Sequence, residues 1–138
     1  MSGLNITLPT IDVVIPAYNA APFISQALES VAQQNYPIKT IFVINDGSKD
    51  ATTDVVRKIQ QDHSNLVLID LVKNGGKASA LNQGLAACET DILITIDADS
   101  YIFKDGIRHL VGRYLSDPTN TFGKVISWNG GYLRFQRQ

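Results

Sequence analysis

Four short apolar segments divide most of the chain into units of similar size. The segments are Ile11–Pro16, Thr40–Asn45, Leu66–Leu71 and Asp91–Ile96. They are rich in Val and Ile and nearly continuous in their apolar residues, whereas a strand with one face in water alternates apolar and polar positions. The pattern therefore predicts four parallel strands, each covered on both faces.

Helical periodicity fills the intervals between these strands. In the first interval Ile24, Ala27, Leu28 and Val31 recur at the spacing of one helix face, shortly after Pro22, a residue that favours helix starts. Three further helices are predicted with apolar inner faces: Asp50 to about Gln61 (Val55, Val56, Ile59), Lys77 to about Ala87 (Ala78, Leu81, Leu85) and Asp105 to Leu115 (Ile107, Leu110, Val111, Tyr114).

Alternating strands and helices indicate an α/β, Rossmann-like, doubly wound sheet that is mostly parallel and has helices on both faces. In the commonest arrangement strands one to three step outward and strand four returns to the other side of strand one. The tail differs, because Lys124–Trp128 and Gly131–Phe135 flank Asn129-Gly130, which predicts a C-terminal β-hairpin. Ligands of such sheets bind beyond the carboxyl ends of the strands, at the switch between strands one and four.

Composition argues against several classes of protein. The 138 residues carry 12 Lys+Arg against 13 Asp+Glu, so there is no basic field to hold nucleic acid. The single cysteine, Cys88, cannot form an intramolecular disulfide, and no apolar run approaches the roughly 20 residues that span a bilayer. We expect one soluble domain over residues 1–138 in a reducing, cytoplasmic setting.

Carboxylates follow two of the predicted strands. Asp97 and Asp99 come directly after the fourth strand, where alternate carboxylates can converge on one hard cation such as Mg²⁺ or Mn²⁺. Asp46 follows the second strand, and a carboxylate there suits the imide N–H of uracil. The plainer interpretation at both places is that polar residues open a loop. After the second strand it accounts well for Gly47, Ser48 and Asp50 and less well for Asp46.

A glycine pair precedes the third predicted helix. Gly75 and Gly76 allow close approach of an anion to the backbone, and a helix N-terminus favours negative charge. Lys77 adds a point charge suited to a diphosphate. The alternative is a flexible turn followed by a solvated lysine.

Four motifs in this order resemble family 2 glycosyltransferases, which have the GT-A fold. They are Val13–Asn19, Val43–Asp50, Gly76–Asn82 and Ile96–Asp99. The resemblance extends over about residues 11–103, which is most of the chain. The stretch from Gly76 to Asn82 is particularly similar to the branch that contains the processive polysaccharide synthases.

The resemblance implies a role for each matching position. Pro16, Tyr18 and Asn19 would line the uridine pocket, and Asp46 would read the uracil. Lys77 would lie near the diphosphate, with Asn82 in the same motif. Asp97 and Asp99 would hold the ribose and a Mg²⁺ or Mn²⁺ ion that bridges the phosphates of a UDP-sugar.

The resemblance also implies parts that this sequence does not carry. Only 39 residues (138 minus 99) follow Asp99, whereas the family places its catalytic base and acceptor-binding segments well beyond that point. We therefore expect an N-terminal part of a longer enzyme that binds the donor and transfers sugar to its saccharide acceptor poorly on its own. Membrane helices would belong to the remainder, so we expect this chain in the cytoplasm, or on the cytoplasmic face of the inner membrane in the full-length protein.

Two other classes stay open as alternatives. A non-catalytic nucleotide-binding or receiver-like module would also place acids at strand ends, although a receiver wants them after strand one, where Tyr18 and Asn19 stand. A dinucleotide-dependent oxidoreductase is disfavoured, because no Gly-x-Gly-x-x-Gly occurs.

The hairpin over Val125–Phe135 is expected to cover a sheet edge or to pair with a second copy in a homodimer.

Overall fold

The fold is described from a computed structural model, which covers residues 8–116, 125–129 and 132–136. Strands and helices alternate through most of the chain, and the last two elements are strands. In chain order they are β1 (Ile11–Ala17), α1 (Ile24–Ala32), β2 (Thr40–Asp46), α2 (Thr52–Gln60), β3 (Leu66–Leu71), α3 (Lys77–Ala87), β4 (Ile92–Ile96), α4 (Gly106–Ser116), β5 (Val125–Asn129) and β6 (Tyr132–Gln136).

The described strands form one sheet in the order β3-β2-β1-β4-β5-β6. Pairing is parallel from β3 through β5, and only β6 runs antiparallel, against β5. The predicted α/β doubly wound topology and the return of the fourth strand beside the first are therefore confirmed. The switch between β1 and β4 creates a crevice at the carboxyl ends of these two strands.

The hairpin extends the sheet beyond β4. Since β5 pairs with β4, the prediction that the hairpin covers this edge is confirmed. The predicted turn was placed one residue early, because Asn129 pairs with Tyr132 and is the last residue of β5. Gly130 and Gly131 lie outside the described residues. The homodimer stays a prediction.

Helices cover both faces of the sheet, but unequally. The larger core cluster packs α1, α2 and α4 against one face, through residues such as Leu28, Val56 and Leu110. The smaller cluster packs α3 against the other face, around Val14 and Leu93. In the centre of the sheet β1 and β4 are buried almost throughout, as their continuous apolar sequences predict.

Two expectations about burial were wrong. Strand β3 is half exposed, with Val67 39% exposed, because among the described strands it is the last on its side and pairs only with β2. In α3 Ala78 is exposed, while Ala80 and Gly84 are buried against the sheet. A Cβ on Gly84 would lie 2.3 Å from Val14 Cγ2, so α3 approaches the sheet through its smallest residues.

None of the helices in the described ranges is long and apolar enough to cross a membrane.

Candidate functional site

A cavity of about 560 Å³ opens at the crevice between β1 and β4. It is bounded by the ends of β1 and β2, the loops after β1 and β4, and the start of α3. The lining residues are Pro16, Ala17, Tyr18, Asn19, Ala20, Phe23, Asp46, Asn74, Gly76, Lys77, Ala80, Asp97, Ala98 and Asp99.

The turn after β1 is fixed by hydrogen bonds to the turn after β2. Asn19 has a φ of 50°, a left-handed conformation that asparagine tolerates better than most residues. Its Oδ1 accepts the Lys49 N–H at 2.8 Å, and its own N–H donates to Ser48 Oγ at 2.9 Å. This cross-bracing leaves Tyr18, which is 49% exposed, at the wall of the cavity.

Asp50 strengthens the same cross-brace. Its carboxylate accepts the Ala21 N–H at 3.1 Å and the Thr52 N–H at 2.9 Å, and it also accepts the Thr52 hydroxyl. The hydrogen bond from the Thr52 side chain is the largest cause that lowers the pKa of Asp50 below its ordinary value, and the backbone bonds act in the same direction. The turns that frame one wall of the cavity are therefore joined by an ionised carboxylate.

Asp46 was predicted to follow β2, but it is the last residue of that strand and is only 3% exposed. Its Oδ1 accepts the Gly75 N–H at 2.8 Å and its Oδ2 accepts the Gly76 N–H at 3.0 Å. The Asn74 side-chain amide donates to the Asp46 carbonyl at 3.0 Å. One strand-end residue thus holds the three consecutive loop residues that precede α3.

Gly47 allows this loop to lie against β2. It has a φ of +71°, and a Cβ there would meet the Asn74 backbone nitrogen at 2.6 Å. Both the left-handed conformation and the close contact require glycine.

The opposite wall is more exposed. Lys77 Nζ lies 2.6 Å from Asp97 Oδ1, with the two side chains 62% and 31% exposed. Asp99 is exposed at the rim of the same cavity. An ammonium group therefore neutralises one of the two candidate metal-ligating carboxylates.

The carboxylates in the cavity fit the divalent cation predicted from the sequence. No group of three or more His, Cys, Asp or Glu side chains suited to a metal occurs within the described part of the chain. Mg²⁺ does not need one, because it is commonly held by one or two carboxylates while substrate phosphates and water complete its oxygen shell. Asp97 and Asp99, which both line the cavity, are the residues that would hold it.

The structure brings together most of the predicted site residues. Those that line the cavity are Pro16, Tyr18, Asn19, Asp46, Lys77, Asp97 and Asp99. Asn82 is exposed on α3 and does not line the cavity, so its role stays a prediction.

Sequence reasoning missed Phe23, which is 51% exposed at the cavity, and the Asn74 bond to β2. An aromatic residue directly after Pro22, close behind the first strand, was the available signal for the first, and nothing in the sequence indicated the second.

Comparison with known proteins agrees with this architecture. The family model described as Glycosyl transferase family 2 matches residues 12–138. Poly-beta-1,6-N-acetyl-D-glucosamine synthase of Staphylococcus aureus is 33% identical over 111 residues, which cover 80% of this chain and 27% of that protein. The same-named protein of Staphylococcus epidermidis is 32% identical over 108 residues, covering 78% and 26%.

Two solved structures show the same fold. Mannosyltransferase PcManGT from Pyrobaculum calidifontis, in complex with GDP-Man and Mn²⁺, matches with a TM-score of 0.75 and 32% identity, covering 82% of this chain and 34% of that one. S. aureus TarS 1-349 in complex with UDP-GlcNAc matches with a TM-score of 0.68 and 30% identity, covering 78% and 32%. This chain spans about a quarter to a third of the length of these relatives. By the family match and these identities, the chain belongs to glycosyltransferase family 2.

Proposed function

We propose that this chain binds the nucleotide-sugar donor of a glycosyltransferase, with a UDP-sugar as donor and Mg²⁺ or Mn²⁺ as the cation. The observation that carries the proposal is the cavity at the β1–β4 switch. Lys77, Asp97 and Asp99 meet there, although they come from separate parts of the sequence. A lysine ammonium and a divalent cation both neutralise a diphosphate, and carboxylates commonly hold such a cation, so the set suits a metal-bound diphosphate.

Lys77 has two roles in this proposal. In the free chain its ammonium group lies against Asp97 Oδ1 and neutralises that carboxylate. When a diphosphate enters, the ammonium gains a second anionic partner, and the long, exposed side chain is able to turn towards it. A divalent ion held by Asp97 and Asp99 would neutralise charge that develops on the leaving diphosphate.

The nucleoside is assigned to the wall formed by Pro16, Tyr18 and Asn19. This wall is fixed by the cross-brace to the turn after β2, so it is already in place before the donor arrives. A half-exposed tyrosine offers an aromatic face on which a base can stack. Preformed pockets bind their ligands with a smaller ordering cost than mobile ones.

Uridine is proposed over guanosine because of the relatives with which the chain shares sequence. TarS was solved with UDP and with UDP-GlcNAc, and two relatives are named as synthases of an N-acetyl-D-glucosamine polymer. The mannosyltransferase, solved with GDP-Man, makes GDP the appropriate competing ligand.

Isothermal titration calorimetry of the chain with UDP and with GDP, each with and without Mn²⁺, tests the proposal. We expect UDP to bind more tightly than GDP, and Mn²⁺ to strengthen UDP binding. A folded chain that binds neither nucleotide would contradict the proposed function, and a preference for GDP would contradict the choice of donor.

The proposal also covers the acceptor, the cellular location and the assembly state. Family membership supports a saccharide acceptor, and we assign the protein to the cytoplasm or to the cytoplasmic face of the inner membrane. Cell fractionation tests the location. Light scattering tests the homodimer, and a strict monomer at high concentration would remove it.

A further inference from the structure

The turn after β1 has three consecutive backbone N–H groups that all donate to side chains of one other segment. The donors are the N–H groups of residues 19–21, and the acceptors are Ser48 Oγ at 2.9 Å, Thr52 Oγ1 at 2.9 Å and Asp50 Oδ2 at 3.1 Å. Backbone N–H groups in a turn need acceptors, and side chains from beyond β2 supply all three. The path of this turn is therefore set by the segment that follows β2.

Two half-exposed aromatic residues line the cavity on either side of this turn. Tyr18 precedes residues 19–21, and Phe23 follows them. The Phe23 N–H donates to the Ala20 carbonyl at 2.8 Å, and the Ala20 N–H donates to Thr52. The position of each aromatic side chain therefore depends on how firmly the turn is held.

Asp50 takes part in two of the three bonds to the turn. Its Oδ2 accepts the Ala21 N–H directly, and its Oδ1 accepts the hydroxyl of Thr52, which in turn accepts the Ala20 N–H. Because the Thr52 proton is directed to the carboxylate, the lone pairs of its oxygen remain available for that N–H. A change at Asp50 should therefore loosen both Ala20 and Ala21.

The side chains that hold the turn do not line the cavity themselves. Ser48, Asp50 and Thr52 all lie in the described part of the chain, and none of them contributes to the cavity wall. Their effect on a ligand must therefore pass through the turn and its aromatic neighbours. An aromatic face that is already fixed binds a base with a smaller ordering cost than one on a mobile turn.

We propose that Asp50 is a positioning residue, which holds the turn after β1 and thereby places Tyr18 and Phe23 for the base of the donor. The inference rests on the proposed function, because it assumes that a nucleotide binds in this cavity. It assigns the contribution of Asp50 to the nucleoside half of the donor alone, since the groups proposed for the diphosphate and the cation lie on α3 and on the loop after β4.

Two half-ligands test this assignment. Uridine carries the base without phosphates, and inorganic pyrophosphate with Mg²⁺ carries the phosphates without a base. Their dissociation constants are measured by NMR titration of the chain, its Asp50→Asn variant and an Asp54→Asn control. Asp54 is the matched acid, because it is exposed in the first turn of α2 and its substitution removes the same charge from the same end of that helix.

For Asp50→Asn we expect uridine to bind about fivefold more weakly, because an amide nitrogen replaces one accepting oxygen and the turn occupies its binding conformation less often. Pyrophosphate binding should stay within about twofold, and Asp54→Asn should change neither ligand. An equal loss of both ligands, a selective loss of pyrophosphate binding, or unchanged uridine binding overturns the inference while donor binding by the parent chain stands. A parent chain that binds neither half-ligand contradicts the proposed function instead.

A second measurement does not depend on ligands. Amide hydrogen exchange at Ala20 and Ala21 should be about tenfold faster in Asp50→Asn than in the parent. Exchange at Gly75 and Gly76, whose N–H groups donate to Asp46, should be unchanged. Unchanged exchange in the turn overturns the inference. Equal acceleration at the two glycines also overturns it, because the effect would then act through the end of β2.

A double-mutant cycle tests whether Asp50 acts through the aromatic residues. UDP binding with Mn²⁺ is measured with and without Asp50→Asn, in the parent and in a variant that carries Tyr18→Ala and Phe23→Ala. Asp50→Asn should weaken binding by at most about twofold in the alanine background, and an undiminished loss there overturns the inference. If Asp50→Asn fails to fold, Ser48→Ala removes a single bond to the turn. It should weaken uridine binding about twofold with pyrophosphate unchanged, and the opposite pattern overturns the inference.

Discussion

The two sides of the cavity hold their acidic residues in different ways. On the clamped side, which comprises Asp46, Gly47 and the loop Asn74–Gly76, a buried carboxylate is bonded to two backbone amides. On the open side, which comprises Asp97, Ala98 and Asp99, the carboxylates are more exposed, and Asp97 contacts the exposed side chain of Lys77.

This difference predicts different roles for the two sets of acidic residues. Carboxylates that accept two backbone N–H groups are satisfied within the fold and contribute to its stability. Carboxylates at an exposed rim contribute little to stability but remain free to exchange a lysine for a cation. We therefore expect substitutions on the open side to affect binding alone, and substitutions on the clamped side to affect the fold as well.

The largest expected effect is on the open side. Asp99→Ala should weaken Mn²⁺-dependent UDP binding by about a hundredfold, because it removes one of two proposed cation ligands, while the free energy of unfolding changes by less than about 0.5 kcal/mol. Calorimetry and urea denaturation measure the two quantities. Asp62→Ala removes an exposed acid after α2 and serves as the control. Loss of stability without loss of binding would reverse the comparison.

A backbone change on the clamped side should act first on stability. Gly47→Ala requires a φ of +71° and puts a Cβ 2.6 Å from the Asn74 nitrogen, so we expect the free energy of unfolding to fall by about 2 kcal/mol. Gly112→Ala on α4 is the matched control, since no atom outside its own stretch of helix lies within 4 Å of its added Cβ. It should raise stability by about 0.5–1 kcal/mol. Equal effects of the two substitutions would argue against a rigid clamped side.

Lys77 tests how easily the open side exchanges its partner. Lys77→Met removes the ammonium from Asp97, so Mn²⁺ should bind the nucleotide-free chain about two- to fivefold more tightly, as expected for loss of an exposed ion pair. UDP should bind more weakly in the same variant, because its diphosphate loses the favourable contact with the Lys77 ammonium group. Electron paramagnetic resonance of free Mn²⁺ measures the first effect. Lys73→Met, which removes an exposed lysine four residues earlier, is the control. If it raises the affinity for Mn²⁺ equally, the effect comes from the net charge and not from the contact between Lys77 and Asp97.

The smallest effect concerns the turn beside the clamped side. The folded pKa of Asp50 is lowered, so its stabilising contribution is complete above the ordinary aspartate pKa of about 3.9 and is lost as the pH falls through the folded value. The stability difference between the parent and Asp50→Asn should therefore shrink as the pH drops below about 4. Thermal melts at several pH values measure this difference, and a difference that grows in acid would be inconsistent with an ionised Asp50 that accepts these hydrogen bonds.

The sequence was sufficient to predict the sheet and the order of its strands. Strands β1 and β4 are buried on both faces, so their apolar residues are nearly continuous, and the large residues between them recur at helical spacing. The same reasoning was partly right for α3: its bounds and the packing of Leu81 and Leu85 against the core are confirmed, whereas Ala78 is exposed. The buried residues of α3 are Ala80 and Gly84, and small residues give no periodic signal of burial.

The candidate site was predictable as a set of positions but not as a set of contacts. Tyr18 and Asp97 follow strands directly, and strand ends meet at one edge of a parallel sheet. The bonds from Gly75 and Gly76 to Asp46 were not predictable, because they depend on where the N–H groups of two glycines point, and glycine permits many backbone conformations.

The most direct test of the account asks whether one cation and one nucleotide meet at this cavity. Mn²⁺ added to the ¹⁵N-labelled chain with UDP should broaden the NMR signals of residues 97–99 and of 75–77 together. Signals around Asp62 and His63, which line a separate groove between α1 and α2, should be unaffected. Broadening centred on that groove, or broadening at residues 97–99 that UDP does not change, would contradict a shared donor site.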